Sequence, residues 1–239
     1  CPLRALEQYA NYRVRLAAGR WPAARRLPAA KRETARQQAV EAITAAIGDL
    51  DLLCRRIPTV ERLSLLGGAF KRLAQIEGDG ERRQQALSGM AEQYGLAYAR
   101  RRDAYAFTNR VAAMLLADRG MVAVDAENRG KLLGELDGLQ QEVARRNADD
   151  PNFWDGASLA DLALTRLLLN AAGPARQRDA SFGDAATAVI EAYRDAAARA
   201  ASPRELASLA ENIAFLSELW SARDKALQQL FQSIAESLQ

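Results

Sequence analysis

The sequence predicts an all-α fold of about nine to ten helices, arranged as successive helical hairpins. The composition and the spacing of apolar residues support this prediction. Ala and Leu supply most of the apolar residues, and aromatic residues make up only 6% of the chain, which favours helices over strands. Apolar residues recur at spacings of three and four, and no segment alternates with period two for long enough to indicate a strand.

The apolar stripes predict one helix after another along the chain, each about 15 to 22 residues long. Between residues 63 and 115 the stripes are Leu63, Leu66, Phe70 and Leu73; Leu87, Met90, Tyr94 and Ala97; Phe107, Val111, Met114 and Leu115. Farther on they are Leu132, Leu136, Leu139 and Val143; Leu159, Leu162 and Leu169; Ala186, Val189, Ile190, Tyr193 and Ala197; Leu206, Leu209, Ile213 and Leu216; Leu227, Leu230, Ile234 and Leu238.

Turn and cap residues separate the stripes, which indicates short connections between helices. Ser202 followed by Pro203 and Glu205 predicts a helix start, because Pro tolerates the first helical position and Ser can accept from an unpaired backbone amide. The other predicted breaks are Pro22, Pro28, Pro58, residues 78–80, Gly120, residues 149–152 and residues 173–174.

The composition excludes several classes of active site. The chain has no histidine, so it contains no Ser/His or Cys/His nucleophile pair and no imidazole zinc site. Its two cysteines, Cys1 and Cys54, are too few for a disulfide framework, and we expect both to be reduced thiols. We therefore expect no cofactor and no metal.

We also expect no membrane segment and a cytoplasmic location. No window approaches the ~18 uninterrupted apolar residues of a transmembrane helix, and the N-terminus lacks the apolar stretch of a signal peptide. Because the sequence opens with Cys rather than Met, we expect it to be a piece of a longer protein.

Residues near the middle of the first half favour a repeat array, an α-solenoid, over a simple bundle. Leu66-Gly67 followed by Phe70 matches the Leu-Gly-x-x-aromatic pattern of a first tetratricopeptide helix, and Met90, Tyr94 and Ala97 fit its second helix. The glycine would let two helices approach closely while the ring fills the gap. We accordingly expect N-terminal helices over residues 1–57, a tetratricopeptide-like region over 58–220 and a C-terminal helix over 221–239.

A more particular resemblance is carried by four segments. Residues 61–74, ERLSLLGGAFKRLA, resemble a segment of the bacterial tetratricopeptide regions that accompany caspase-like CHAT proteases and the related TRAF-binding regulatory region. Residues 103–109, 192–205 and 212–216 are similar to later segments of that region, with Ala106 where the family has Pro. The resemblance implies a helical regulatory platform beside an effector domain, in bacterial defence or signalling.

Charge is unevenly distributed along the chain. Residues 1–110 hold 20 basic and 11 acidic residues, a net charge of +9, whereas residues 111–239 hold 13 and 19, a net charge of −6. The basic half, centred on residues 100–102 with Arg82 and Arg83, suits an acidic partner or simply a solvated helix surface. Scattered arginines without a dense set of exposed aromatic residues disfavour nucleic acid.

These observations predict a non-enzymatic scaffold that binds a protein and regulates or positions an effector such as a caspase-like protease. Aromatic and arginine side chains dominate binding interfaces, so we predict a partner-binding groove near residues 98–110. Its residues are Tyr98, Arg101, Arg102, Tyr105, Asn109 and Arg110.

Two alternatives remain open at this point. The chain can be a self-associating bundle, in which the C-terminal helix, with Leu227, Leu230 and Ile234, pairs with a second copy. It can also be an all-helical enzyme that uses carboxylates, although the acidic pair Asp149-Asp150 precedes Pro151 at a predicted turn rather than lying inside a helix.

Overall fold

The computed structural model describes residues 3–117, 125–172, 181–220 and 224–238. Within these ranges the chain is helical apart from short connections, with no strand, and the all-α prediction is confirmed. The predicted breaks at Gly120 and residues 173–174 lie outside the described residues. The ten described helices are α1 (Leu3–Ala24), α2 (Ala29–Arg56), α3 (Val60–Ile76), α4 (Gly80–Arg100), α5 (Ala104–Ala117), α6 (Ala126–Asp149), α7 (Phe153–Ala171), α8 (Ser181–Ala198), α9 (Pro203–Trp220) and α10 (Lys225–Ser237).

The chain forms two compact units, Cys1–Arg102 and Asp103–Gln239. The first holds α1 to α4 and the second holds α5 to α10. The boundary between the two units falls within residues 58–220, which the sequence analysis assigned to a single tetratricopeptide-like region. The extent of that region stays a prediction.

In the first unit, each helix packs on the next, and α1 also contacts α3. The apolar stripes of the four helices form its core, in which Ile43, Leu50, Leu66 and Met90 are almost completely buried. Cys54 is buried here as well and forms no disulfide.

Two glycines allow α3 and α4 to pack closely. A Cβ atom on Gly67 would lie 2.9 Å from the Cδ2 and Cε2 atoms of the Tyr94 ring. A Cβ atom on Gly89 would lie 2.9 Å from three atoms of the Phe70 ring. Each helix therefore receives an aromatic ring of the other against a glycine, which confirms the predicted role of Gly67 and adds a reciprocal contact at Gly89.

Two partly buried ion pairs join helices of the first unit outside its apolar core. Arg36 of α2 donates to Glu77, which lies in the α3–α4 turn and is only 2% exposed, at 2.8 Å. Arg62 of α3 donates to Glu7 of α1 at 2.7 Å and to the carbonyl of Ile57 at 2.7 Å. Arg36 also pairs with exposed Glu33, whereas Glu77 is buried, so removing Arg36 would leave the Glu77 carboxylate without its counterion. Such pairs therefore favour one arrangement of the helices.

Helix starts follow the predicted capping chemistry. Asp79 caps α4 by accepting from the amides of Glu81 and Arg82, and these hydrogen bonds lower the pKa of its carboxyl group. At α9, the amides of residues 201 and 202 donate to Glu205, which confirms the start predicted at Ser202 and Pro203. The break predicted at Pro22 comes two residues later, because Pro22 still lies in the last turn of α1.

In the second unit, α7 contacts α5, α6 and α8, and α10 contacts α8 and α9. Leu227, Leu230, Phe231 and Ile234 of α10 are buried, and the ring of Phe231 lies 6.3 Å from that of Trp220 on α9. The second unit itself therefore covers the apolar face of α10. In the self-association alternative, a second copy of the chain would cover that face.

Candidate interaction surfaces

Three of the predicted partner-binding residues lie at the end of the first unit. Arg101 and Arg102 are exposed, whereas Tyr98 is only 6% exposed. The guanidinium of Arg102 lies 5.7 Å from the centre of the Tyr98 ring, and its Nε donates to the Tyr98 hydroxyl at 3.3 Å. Tyr98 thus holds Arg102 at the surface rather than presenting its own ring.

The other three predicted residues lie on α5 of the second unit. Tyr105 is 54% exposed and Arg110 is half-buried, whereas Asn109 is only 4% exposed. The Asn109 amide donates to the carbonyl of Tyr105 at 2.9 Å. Of the six predicted residues, Arg101, Arg102 and Tyr105 are therefore exposed to solvent and Arg110 is partly exposed. That the six residues form one groove stays a prediction.

The two units carry opposite net charges. The first, residues 1–102, has 19 basic and 10 acidic residues, a net charge of +9, and the second has 14 and 20, a net charge of −6. Arg100 and Arg101 are exposed at the end of the first unit. Arg83, by contrast, donates to the carbonyls of Ala74 and Glu77, so it stabilises the α3–α4 turn.

A narrow crevice lies between α5, α7 and α9 of the second unit. Its volume is about 10 Å³, room for about one water molecule. Asp161 and Asn212 line it, and the Asp161 carboxylate accepts from the Tyr193 hydroxyl and, at 3.1 Å, from the Asn212 amide. The remaining lining residues are Thr108, Asn109, Ala112, Leu164, Thr165, Leu168 and Leu216.

Burial gives this polar cluster its electrostatic character. Tyr193 is completely buried, and burial raises the pKa of its phenol well above the ordinary value of 10.0. The nearby charge of Asp161 and the hydrogen bond between the two side chains raise this pKa further. Tyr193 therefore stays protonated and donates to Asp161, and the cluster joins α7, α8 and α9.

Sequence reasoning named Asn109 among the site residues but missed Asp161, Tyr193 and Asn212 as a cluster. A signal was present, because residues 103–109, 192–205 and 212–216 are three of the four segments that carry the family resemblance. Asn109, Asp161 and Asn212 line the crevice, and Tyr193 donates to Asp161. Their convergence on α7 is a property of the tertiary structure.

Within residues 3–117, 125–172, 181–220 and 224–238, no helix combines the length and the hydropathy that a membrane span requires. Among the same residues, no three Cys, Asp or Glu side chains are grouped so that they could hold a metal ion.

Sequential helices packed as hairpins, with glycine-to-ring contacts between α3 and α4, are consistent with an all-α protein of the helical-repeat type. Residues 2–116 match the family model described as Tetratricopeptide Repeats-Sensor, which supports a tetratricopeptide region in this part of the chain. The match covers α1 to α4 and most of α5, and so it includes residues 2–57, for which the sequence indicated no repeat. Searches of curated proteins and of solved structures returned no match.

Proposed function

We propose that the chain is a non-catalytic helical-repeat scaffold that binds a protein partner and regulates or positions an effector. The observation that carries this proposal is the family match over residues 2–116, because tetratricopeptide regions generally bind proteins and the name of this family describes a sensor. An effector of the caspase-like protease class follows from the sequence resemblance. A bacterial source and a cytoplasmic location belong to the same proposal.

The exposed basic and aromatic side chains support a protein ligand. Arg101, Arg102 and Tyr105 lie within five residues of one another and are exposed to solvent. Arg and Tyr are among the residue types enriched at the energetic centres of protein interfaces. The net charge of +9 on the first unit favours a partner whose contacting surface is acidic.

An affinity capture from native lysate tests the proposal. The wild-type chain and a triple variant, Arg101→Ala, Tyr105→Ala and Arg110→Ala, serve as baits, with quantitative mass spectrometry as the readout. We expect one protein to be retained in stoichiometric amount by the wild-type chain and depleted at least about tenfold by the variant, as loss of about 1.4 kcal/mol or more would produce.

A matched control keeps the result specific. Leu52 on α2 is 65% exposed, so Leu52→Ala changes a surface side chain away from residues 101–110 without disturbing the core. We expect this control to retain the partner like the wild-type chain. Equal retention by the triple variant would show that the predicted residues do not form the binding surface, and recovery of no stoichiometric protein would contradict the scaffold itself.

A further inference from the structure

The outward side of α1 carries a regular apolar seam that no part of the described chain covers. The seam residues recur at alternating spacings of four and three, which is the heptad pattern by which two helices pack along each other. All of them are exposed, including Tyr9 at 58% and Tyr12 at 61%. They are Ala5, Tyr9, Tyr12, Leu16, Gly19 and Ala23.

The fold of the first unit does not use this seam. The side of α1 that faces α2 and α3 is formed by Ala10, Val14 and Ala17, which are buried. The seam has large side chains at its centre and small residues toward both ends, so a second helix can pack along it. It is about 27 Å long, the axial distance from residue 5 to residue 23. The seam is therefore long enough for about three heptads of a partner helix.

Basic residues flank the seam on both sides. Arg13 and Arg20 follow one edge, and Arg15 lies on the other. The guanidinium of Arg13 pairs with Asp49 at 3.1 Å and lies 5.6 Å from the centre of the Tyr9 ring. Arg15 and Arg20 are exposed, and neither pairs with a carboxylate of the described residues. The single acidic residue of α1, Glu7, points to Arg62.

The basic residues beside the seam indicate the charge of the helix that binds there. A second copy of α1 would bring two basic edges together, which is unfavourable at the flanking positions of a helix pair. A helix with an apolar seam and glutamates at its flanking positions would pair with both edges in either direction. We propose that the outer face of α1 docks an acidic amphipathic helix of a partner protein.

This inference rests on the proposed function in one respect only, since it assigns a class of partner to a protein-binding scaffold. Its surface, the outer face of α1, is separate in sequence from residues 98–110, so the two fail separately. Loss of binding at α1 with intact capture through residues 101–110 would leave the scaffold proposal standing.

A synthetic helix tests the inference on the intact chain. The probe is a fluorescent 21-residue peptide, three heptads long, with Leu at the seam positions and Glu at both flanks, and a second peptide carries Lys at the same flanks. Fluorescence anisotropy measures binding of each. We expect the acidic peptide to bind, more weakly as salt rises, and the basic peptide to bind at least about tenfold more weakly.

Variants on the seam and its flanks locate the binding. Tyr12→Glu with Leu16→Glu places charges on an exposed face and should abolish binding of the acidic peptide, whereas Leu52→Glu on α2 should leave it unchanged. Arg15→Glu with Arg20→Glu should reverse the preference in favour of the basic peptide. Far-ultraviolet circular dichroism of each variant checks that the fold is retained.

Three results would overturn the proposal. They are equal affinity for both peptides, no binding by either up to about 100 μM, and binding that the seam variant leaves intact. A chain that sediments as a dimer and becomes monomeric with Tyr12→Glu would show that a second copy occupies the seam instead.

Discussion

Replacing Gly67 with alanine should destabilise the first unit, even though the same change usually stabilises a helix. An exposed helical glycine gains about 0.5–1 kcal/mol of stability on replacement by alanine, because alanine has less backbone entropy to lose. At Gly67 the new methyl group would lie 2.9 Å from two atoms of the Tyr94 ring and 3.2 Å from a third. Tyr94 is completely buried, so its ring has little room to move.

The expected magnitude follows from these two opposing effects. Overpacking a buried contact costs about 1–3 kcal/mol, which offsets the helix-propensity gain and leaves a net loss of up to about 2 kcal/mol. Gly48 in α2 is the matched control, since no atom lies within 4 Å of a Cβ atom built there. Gly48→Ala should therefore stabilise the unit, and the two variants should differ by about 1–3 kcal/mol.

Urea unfolding followed by circular dichroism measures both variants. Because the chain has two compact units, the change should appear in the transition of the first unit and leave the other unchanged. Combining Gly67→Ala with Tyr94→Leu should cost less than the sum of the separate changes, since the smaller side chain makes room for the methyl group. If Gly67→Ala stabilised the chain as much as Gly48→Ala, the close packing of α3 and α4 would be refuted.

Three further predictions follow from buried or capping groups. Glu77→Gln should destabilise the first unit by about 1.5–3 kcal/mol, because it removes a charged hydrogen bond to Arg36. Urea unfolding measures this change. The control is Glu33→Gln at an exposed partner of Arg36, which should change stability by less than about 1 kcal/mol. Because the pKa of Tyr193 is raised in the folded protein, its contribution to stability is fully present below about pH 10 and is lost as the pH rises through the folded-state pKa. Thermal melts from neutral to alkaline pH should show this loss of stability in the wild-type chain. The loss should be smaller in Tyr193→Phe. Ser202→Ala should lower the melting temperature of the second unit, because losing a helix cap costs about 1 kcal/mol, and an unchanged temperature would contradict the capping at α9.

Much of the fold was predictable because helix formation depends on local patterns. The apolar stripes place the helices, since residues three and four apart share a helix face whatever the tertiary structure. The start of α9 was predictable for the same reason, as Ser202 and Glu205 bond within a few residues of each other. Gly67 was predictable as a position of close helix approach because it lies in the Leu-Gly-x-x-aromatic motif, although the ring that contacts it is Tyr94 of α4 and not the motif's Phe70.

The exposure of the predicted site residues was harder to predict. We predicted Tyr98 and Asn109 as binding residues, yet both are buried. Each makes a hydrogen bond close by in sequence, Tyr98 with Arg102 and Asn109 with the Tyr105 carbonyl. The cluster on Asp161 joins residues up to 51 positions apart, a contact that no local pattern reveals.

The seam on α1 was missed for another reason. A helix with one buried and one exposed apolar face has no single amphipathic stripe, so the spacing of its apolar residues does not show which face packs inward. Only the structure separates Ala10, Val14 and Ala17, which pack inward, from Tyr12 and Leu16, which do not.

The most direct test of the scaffold proposal is hydrogen–deuterium exchange of the chain with and without the captured partner, read by mass spectrometry. Slowed exchange confined to exposed surface segments, with residues 100–110 among them, is the expected result. Unchanged exchange throughout residues 3–117 in a saturated complex would show that the tetratricopeptide region does not bind the partner.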